Sequence, residues 1–527
     1  MSSRRYLKPN VSVEPLYNQW YAWWYLLSPA TAPLFVVNLH LKLMASFVSA
    51  PEVHVAALQN PALAGGPFIN YRADRAGEVR ELLERTAREQ ADTLAFARAL
   101  VDLDKLLAAA PAGLSLEGLY PRVPAPLRGF VELTYDLNHR PSPRLLEGLL
   151  YRSRHHRESC QSVALREVSG DARHYVFSTP RLNDADAVHL PRPFRDAAFD
   201  ALFRSKDEPS DPAALADALG VRPDDRALFA SLFTDAPPPP RAPPFDGPGV
   251  RVRYFGHACV LLETRDVCVL TDPVLSYDVP ADPPRFSYRD LPETIDYVVI
   301  THGHADHLML ETLLQLRARI GTVIVPRAGG GLADPSLKLM LEHCGFRSVR
   351  ELDELETVAV EGGAITGLPF FGEHADLNIR AKLAHLVELG GKRFLMAADS
   401  NAIEPELYER LRETIGGVDA LFLGMECEGA PMSWMYGPLL AAALPRKLDQ
   451  SRRLNGSNCA RALAIVDALG PREVYVYAMG REPWLGHVMA LRYDETSPQI
   501  VESDRLLRAC RERGIVAERP FARLEIT

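Results

Sequence analysis

Three imidazoles and a carboxylate fall within six residues at His302-Gly303-His304-Ala305-Asp306-His307, directly behind the β-rich run Tyr297-Val298-Val299-Ile300-Thr301. In extended backbone, histidines two apart project to the same side, while Asp306 and His307 fall where a helix begins. One short turn at a strand end then serves two adjacent ions. Gly303 and Ala305 are the small residues that a crowded ligand loop needs. A chain with such a loop must fold so that other strand ends converge on it.

The downstream pattern supplies those strands. Val250 to Tyr254, Cys259 to Thr264 and Val267 to Thr271 are short β-rich runs separated by tight turns, which predicts antiparallel pairing. Further runs at Thr322 to Val325, Arg393 to Ala397, Ala420 to Leu423 and Val474 to Ala478 alternate with helical stretches such as Leu308 to Ile320. Strands alternating with helices predict an α/β domain of two sheets covered by helices.

At 527 residues the chain exceeds one hydrophobic core, so two or more domains are expected. The boundary is the proline-rich stretch from Ala236 to Gly249, where lost backbone donors favour extended structure. This divides the chain into an N-terminal α+β domain at 1–236, a linker at 237–249 and a catalytic domain at 250–527. The first domain reads as mainly helical, with Val79, Leu82, Leu83, Leu94, Ala97 and Val101 on one face between Glu78 and Leu107. A hairpin is expected between Val163 and Ser178. The aromatic run Trp20, Tyr21, Trp23, Trp24, Tyr25 marks domain core, an interdomain contact or a homodimer contact.

A net charge of −9 gives no general attraction to nucleic acid or to an anionic membrane. The apolar stretch from Trp20 to Ala50 is interrupted by Pro29, Pro33, Asn38, His40 and Lys42, which argues against a membrane span. Seven scattered cysteines without a C-x-x-C pair read as reduced thiols, and the N-terminus lacks a signal-peptide pattern, so a cytoplasmic location is expected.

The H-x-H-x-D-H loop resembles that of the metallo-β-lactamase superfamily, over about residues 250 to 527, and the resemblance implies an αββα sandwich. It continues in order through the chain. Asp272 in Thr271-Asp272-Pro273 takes the place of a structural carboxylate that hydrogen-bonds near the ligands. Asp399 in Ala397-Ala398-Asp399-Ser400 matches a bridging ligand, and His487 in Leu485-Gly486-His487 a last histidine. The departure is at Phe370-Phe371-Gly372-Glu373-His374, where zinc hydrolases carry a third terminal histidine; Glu373 or His374 could be the ligand. With Glu373, the donors become His302, His304, His307 and His487 with Asp306, Glu373 and Asp399. Added carboxylate shifts preference from zinc toward iron or manganese and toward oxygen chemistry.

The Gly372-Glu373-His374 departure, behind a domain opening Arg5-Tyr6-Leu7-Lys8-Pro9, resembles the di-iron aminoacyl β-hydroxylase family of the chloramphenicol-biosynthesis type over most of the chain. That resemblance implies an O2-dependent monooxygenase acting on the β-carbon of an amino acid, aromatic in the expected case, held as a thioester on a nonribosomal peptide synthetase carrier domain through phosphopantetheine. It places one iron on His302, His304 and Glu373 and the other on Asp306, His307 and His487, with Asp399 bridging; Glu373 and Asp399 are the residues closest to the chemistry. No flavin or nicotinamide fingerprint and no cysteine cluster is present in the sequence, so electrons are expected from a separate reductase.

The competing reading is a dinuclear zinc hydrolase of a lactone, amide or phosphodiester, in which His374 takes the metal. A scaffold without catalysis is disfavoured because a full ligand set can be named. His257, in Tyr254-Phe255-Gly256-His257, reads as a turn histidine rather than a ligand. Glu426, Trp434, Met435 and Tyr436 suit either a substrate cavity or ordinary core. Arg446, Lys447, Arg452 and Arg453 suit either a solvated helix face or contact with an acidic carrier domain.

Overall fold

The computed structural model describes residues 4–110, 113–241, 243–442 and 444–526; Ala242 of the proline-rich segment lies outside them. The catalytic region is built on two seven-stranded sheets. The first runs, in spatial order, Val349–Leu352, Ile320–Pro326, Ile295–Val299, Cys268–Thr271, Cys259–Glu263, Arg251–Gly256 and Leu524–Ile526. The second runs Thr357–Val360, Gly363–Leu368, Ala384–Leu389, Lys392–Met396, Ala420–Gly424, Glu473–Tyr477 and Val516–Glu518. Strand periodicity sorts their side chains between layers. Val252, Tyr254, Val260, Leu262 and Val269 meet Val387, Phe394, Met396 and Phe422 between the sheets. Leu261 and Leu270, one residue out of phase, face the opposite layer. Both faces of these strands are covered, which is why they read as unbroken apolar runs.

Helices Glu406–Ile415, Cys459–Leu469 and Pro498–Glu512 cover the second sheet. Over the first sheet, helices Leu310–Leu316 and Leu337–His343 share the outer layer with the N-terminal region, and one continuous apolar cluster runs from Trp20, Trp24 and Tyr25 to Leu261, Leu270 and Val298. The aromatic run is thus interdomain core.

The N-terminal region contains a four-stranded sheet ordered Trp20–Tyr21, Val11–Tyr17, Gln161–Glu167, Val188–Leu190. The expected hairpin to residues 174–178 does not form. Both edges of Gln161–Glu167 are taken by Val11–Tyr17 and Val188–Leu190, and the Val176 amide donates instead to the His487 carbonyl. The helical face between Glu78 and Leu107 is carried by two helices, Ala76–Glu89 and Ala91–Ala108, separated at Gln90.

Within the apolar stretch a continuous helix forms. Ala32 to Ser49 is helical throughout, with a π-helical turn at Val36–His40, and is long and apolar enough to cross a membrane by length and composition; half of it is buried in the protein. Its polar residues have partners that let the helix continue. Pro33 sits in the first turn, where no backbone donor is lost. The Asn38 amide donates to the Pro438 carbonyl at 2.8 Å, and the His40 ring stacks on Trp20 at 4.0 Å.

Candidate metal centre

The strand ends of both sheets meet at one edge of the sandwich, and the ligand loop is fastened there. Leu383 N–H donates to Thr301 O at 2.8 Å, joining the end of one sheet to the start of the other's loop. Gly303 leaves no room for a larger residue: a Cβ there would lie 2.0 Å from the Trp24 ring. The N-terminal region therefore packs directly on the metal loop, and glycine permits that approach.

The structure brings His302, His304, Asp306, His307, Glu373 and Asp399 together. Donor atoms of His302, His304 and Glu373 lie within 4.8 Å of one another, as do those of His302, His307 and Asp399. Glu373 Oε1 is 3.0 Å from His304 Nδ1; Asp399 Oδ2 is 3.0 Å from His307 Nε2 and 3.6 Å from His302 Nε2. Asp306 Oδ2 is 3.7 Å from His307 Nε2.

The neighbouring hydrogen bonds select the tautomers. Asp272, fully buried, accepts from the Thr301 amide at 2.7 Å, from the Thr301 hydroxyl at 2.6 Å and from His307 Nδ1–H at 2.8 Å. Thr301 Oγ1 in turn accepts from His302 Nδ1–H at 3.0 Å. Both rings thus turn Nε2 lone pairs inward. His304 is reversed: its Nε2–H donates to Tyr436 Oη at 2.9 Å, and Nδ1 faces Glu373. The Tyr436 hydroxyl also lies 3.0 Å from His374 Nδ1, so that ring is held through Nδ1, while Glu373 faces His304. The main chain at Glu373 has φ +68°, a left-handed conformation uncommon for such a residue, found where a site holds its ligand under strain.

Two residues differ from the sequence reading. His487 does not join the cluster: the short helix Gly486–Met489 turns its ring toward the domain boundary, with Nε2 4.0 Å from Glu311 Oε2 and the ring edge-on to Tyr21 at 6.4 Å. Its carbonyl takes the Val176 amide, which anchors it there. His257 does occupy the turn expected for it, yet it reaches the site. Its Nδ1 accepts from the Gly480 amide at 3.0 Å, so Nε2–H donates to Asp306 Oδ2 at 3.1 Å. A nitrogen carrying that proton positions Asp306 rather than binding an ion. No spacing rule links residue 257 to residue 306; only the strand pairing brings them together.

The electrostatics fit a cationic group. His302 Nε2, His307 Nε2, His374 Nε2 and Glu373 Oε2 are buried without a hydrogen-bond partner, as donors around an ion would be. Burial opposes charge on His307, but Asp399, Asp306 and Asp272 outweigh it and hold that imidazole well above its usual range. Burial and the neighbouring rings of His307 and His304 push His302 well below it. Burial raises Glu373 despite His304 beside it. Half-buried Glu426 is raised well above the carboxylate range by burial and by Glu373, Asp306 and Asp399, which places it beside the centre. Three carboxylates and three imidazoles suit a pair of divalent first-row ions, and the oxygen content favours iron or manganese over zinc.

Trp434 and Met435, immediately before Tyr436, line a narrow cleft together with Trp20, Tyr21 and Trp23. A separate cavity of about 720 Å³ beneath the linker, lined by Lys206, Arg319 and prolines 237–240, contains none of the metal donors, so the chemistry is not there. Arg452 donates twice to the Ala375 carbonyl, bracing the loop that carries Glu373, whereas Arg446 and Lys447 are exposed.

Comparison with known proteins identifies the family. Residues 6–237 match the family model for the diiron non-heme β-hydroxylase N-terminal domain, and residues 268–477 match a β-lactamase superfamily domain. The chain is 42% identical over 524 residues to the 4-amino-L-phenylalanyl-[CmlP-peptidyl-carrier-protein] 3-hydroxylase of Streptomyces venezuelae, covering 97% of this chain and 98% of the relative. The crystal structure of CmlA, a diiron β-hydroxylase from the same organism, superposes with a TM-score of 0.94 at 40% identity and covers all of both chains. A metal-dependent hydrolase of Carboxydothermus hydrogenoformans is 24% identical over 222 residues, covering 39% of this chain and 93% of that protein. The region at 268–477 belongs to the β-lactamase superfamily, and the chain as a whole belongs to the diiron non-heme β-hydroxylase family.

Proposed function

We propose that this chain hydroxylates the β-carbon of an amino acid, aromatic by preference, carried as a phosphopantetheine thioester on a nonribosomal peptide synthetase carrier domain. The observation that carries this reading is Glu373 Oε1 at 3.0 Å from His304 Nδ1, one carboxylate of the donor group it forms with His302 and His304. Near full-length similarity to a hydroxylase named for a carrier-bound aminophenylalanyl substrate supports it. The reaction consumes O2, two electrons and two protons per C–H bond converted to C–OH, releasing water; a separate reductase supplies the electrons.

When bound, the two iron ions supply the oxygen activation and C–H cleavage that side chains cannot perform. In this assignment His302, His304 and Glu373 would hold one ion, Asp306 and His307 the other, with Asp399 available to both. Asp272 and Thr301 fix the tautomers of His307 and His302, Tyr436 fixes His304, and His257 orients Asp306. Trp24 against Gly303 keeps solvent from the loop on the N-terminal side. Trp434 and Met435, which precede Tyr436 on the same short helix, are assigned to contact with the substrate side chain. The N-terminal domain, 1–236, is assigned to dimerisation or carrier docking, and exposed Arg446 and Lys447 of the 250–527 domain to contact with the carrier's acidic surface or pantetheine phosphate. The assembly as a homodimer and the cytoplasmic location belong to the same proposal.

The test is metal analysis of protein purified from iron-supplemented cells, with optical spectra before and after dithionite and again after O2. Two irons per chain and a reducible, oxygen-restored absorption band are expected. Two tightly held zinc ions and no such band would favour hydrolysis and end the oxygenase reading.

A further inference from the structure

Among the described residues, a second group of metal-type donors lies outside the catalytic centre, where the two regions of the chain meet. His156 follows the helix Glu147–Leu150 in the N-terminal region, Glu158 opens the 3-10 turn Glu158–Cys160, and His343 ends the helix Leu337–His343 of the catalytic region. One donor atom from each lies within 4.8 Å of the others. The two imidazoles meet edge to face at 4.8 Å, and the Tyr151 ring stacks on His343 at 4.6 Å, fixing its plane.

We propose that His156, Glu158 and His343 form a third metal site, for a single divalent ion of the zinc class, that clamps the N-terminal region to the catalytic region. Two imidazoles and a carboxylate are a recurring zinc donor set, with the fourth position left to water. All three residues are half-buried, so an ion has a path in and the ligands have shelter. Tetrahedral ligands about 2.1 Å from zinc lie about 3.4 Å from each other. Closing from the present spacing takes side-chain rotation of an ångström or so. Burial and the adjacent His343 ring hold His156 down to about 4, and burial also lowers His343, so both rings present lone pairs at neutral pH. Arg195 holds Glu158 Oε2 at 2.8 Å and competes for its charge. That arginine is 59% exposed, an exposed pair of this kind is weak, and the carboxylate keeps a second oxygen.

The experiment starts from the diferric holoenzyme, so that the catalytic centre is filled, and titrates Zn2+ by calorimetry while iron content and the iron absorption band are followed. One Zn2+ per chain is expected to bind with both irons retained, and to raise the unfolding midpoint by about 1–3 °C at saturating zinc. His156→Ala and His343→Ala should each abolish the third ion and the thermal shift, and Glu158→Gln should weaken binding at least ~10-fold, with iron content unchanged in all three. If one variant fails to fold, the other histidine variant decides. Zinc that binds only by displacing iron, no third ion in the wild-type protein, or a third ion that persists in both histidine variants overturns the proposal.

Discussion

The two sides of the catalytic centre are held by different chemistry. Asp306 and His307 are braced from the first sheet: a fully buried carboxylate, Asp272, orients His307 at 2.8 Å, and His257 in the adjoining turn orients Asp306. His304 and Glu373 are held from the cleft side, where the neutral phenol of Tyr436 orients His304 and a left-handed loop residue delivers Glu373. A charge-assisted bond at a strand end is stronger and less mobile than a neutral bond from a short helix. The first side is thus the more firmly fixed, and the second, held by a short helix and a loop, is the more yielding.

The largest effect that would sharpen this contrast comes from Glu373→His. It replaces the distinguishing oxygen donor with an imidazole and should lower O2-dependent hydroxylation by more than ~100-fold, beyond the range for loss of an outer contact, while raising the zinc-to-iron ratio of purified protein. Unchanged turnover would remove Glu373 from the ligand set. Asp272→Asn comes next. It removes a carboxylate that accepts three hydrogen bonds and should weaken iron binding ~10–100-fold, read by chelator competition. Tyr436→Phe should weaken it by only ~10-fold, with a larger effect on KM than Asp272→Asn because the helix carrying it also carries Trp434 and Met435, assigned to substrate contact. Equal losses of iron in these two variants would break the comparison.

The smallest effect lies at the domain boundary. Glu147 accepts from the Ser336 amide and the Ser28 hydroxyl, yet burial raises its carboxyl from 4.5 to about 7. Between those values the folded chain keeps a proton that the unfolded chain has released, so stability falls as pH rises from about 4.5 to about 7. Glu147→Gln should remove that part of the slope, measured as denaturant midpoints across pH. An unaltered slope would show that Glu147 titrates normally.

Much of the catalytic half was legible because its signals are local. The donor loop is contiguous, the strands that carry it are uninterrupted apolar runs, and Glu373 stands beside its own alternative, His374. What was not legible depends on side-chain direction and long-range pairing. His487 sits after an apolar strand as a ligand would, but one short helix turns it to Glu311. His257 and Tyr436 reach ligands 49 and 132 residues away, through contacts that no local period encodes. In the N-terminal region, residues 174–178 have strand-like composition, yet the edges they would use are occupied; tertiary competition overrode propensity.

The most direct test of the central claim is a single turnover. Iron-loaded protein is reduced anaerobically, mixed with an aminoacyl-loaded carrier domain and exposed to 18O2, and the released amino acid is weighed by mass spectrometry. The carboxylate-rich centre described above predicts one 18O atom in a hydroxyl on the β-carbon, with none incorporated from labelled water. Release of the unmodified amino acid by thioester hydrolysis, with no label from 18O2, would contradict it.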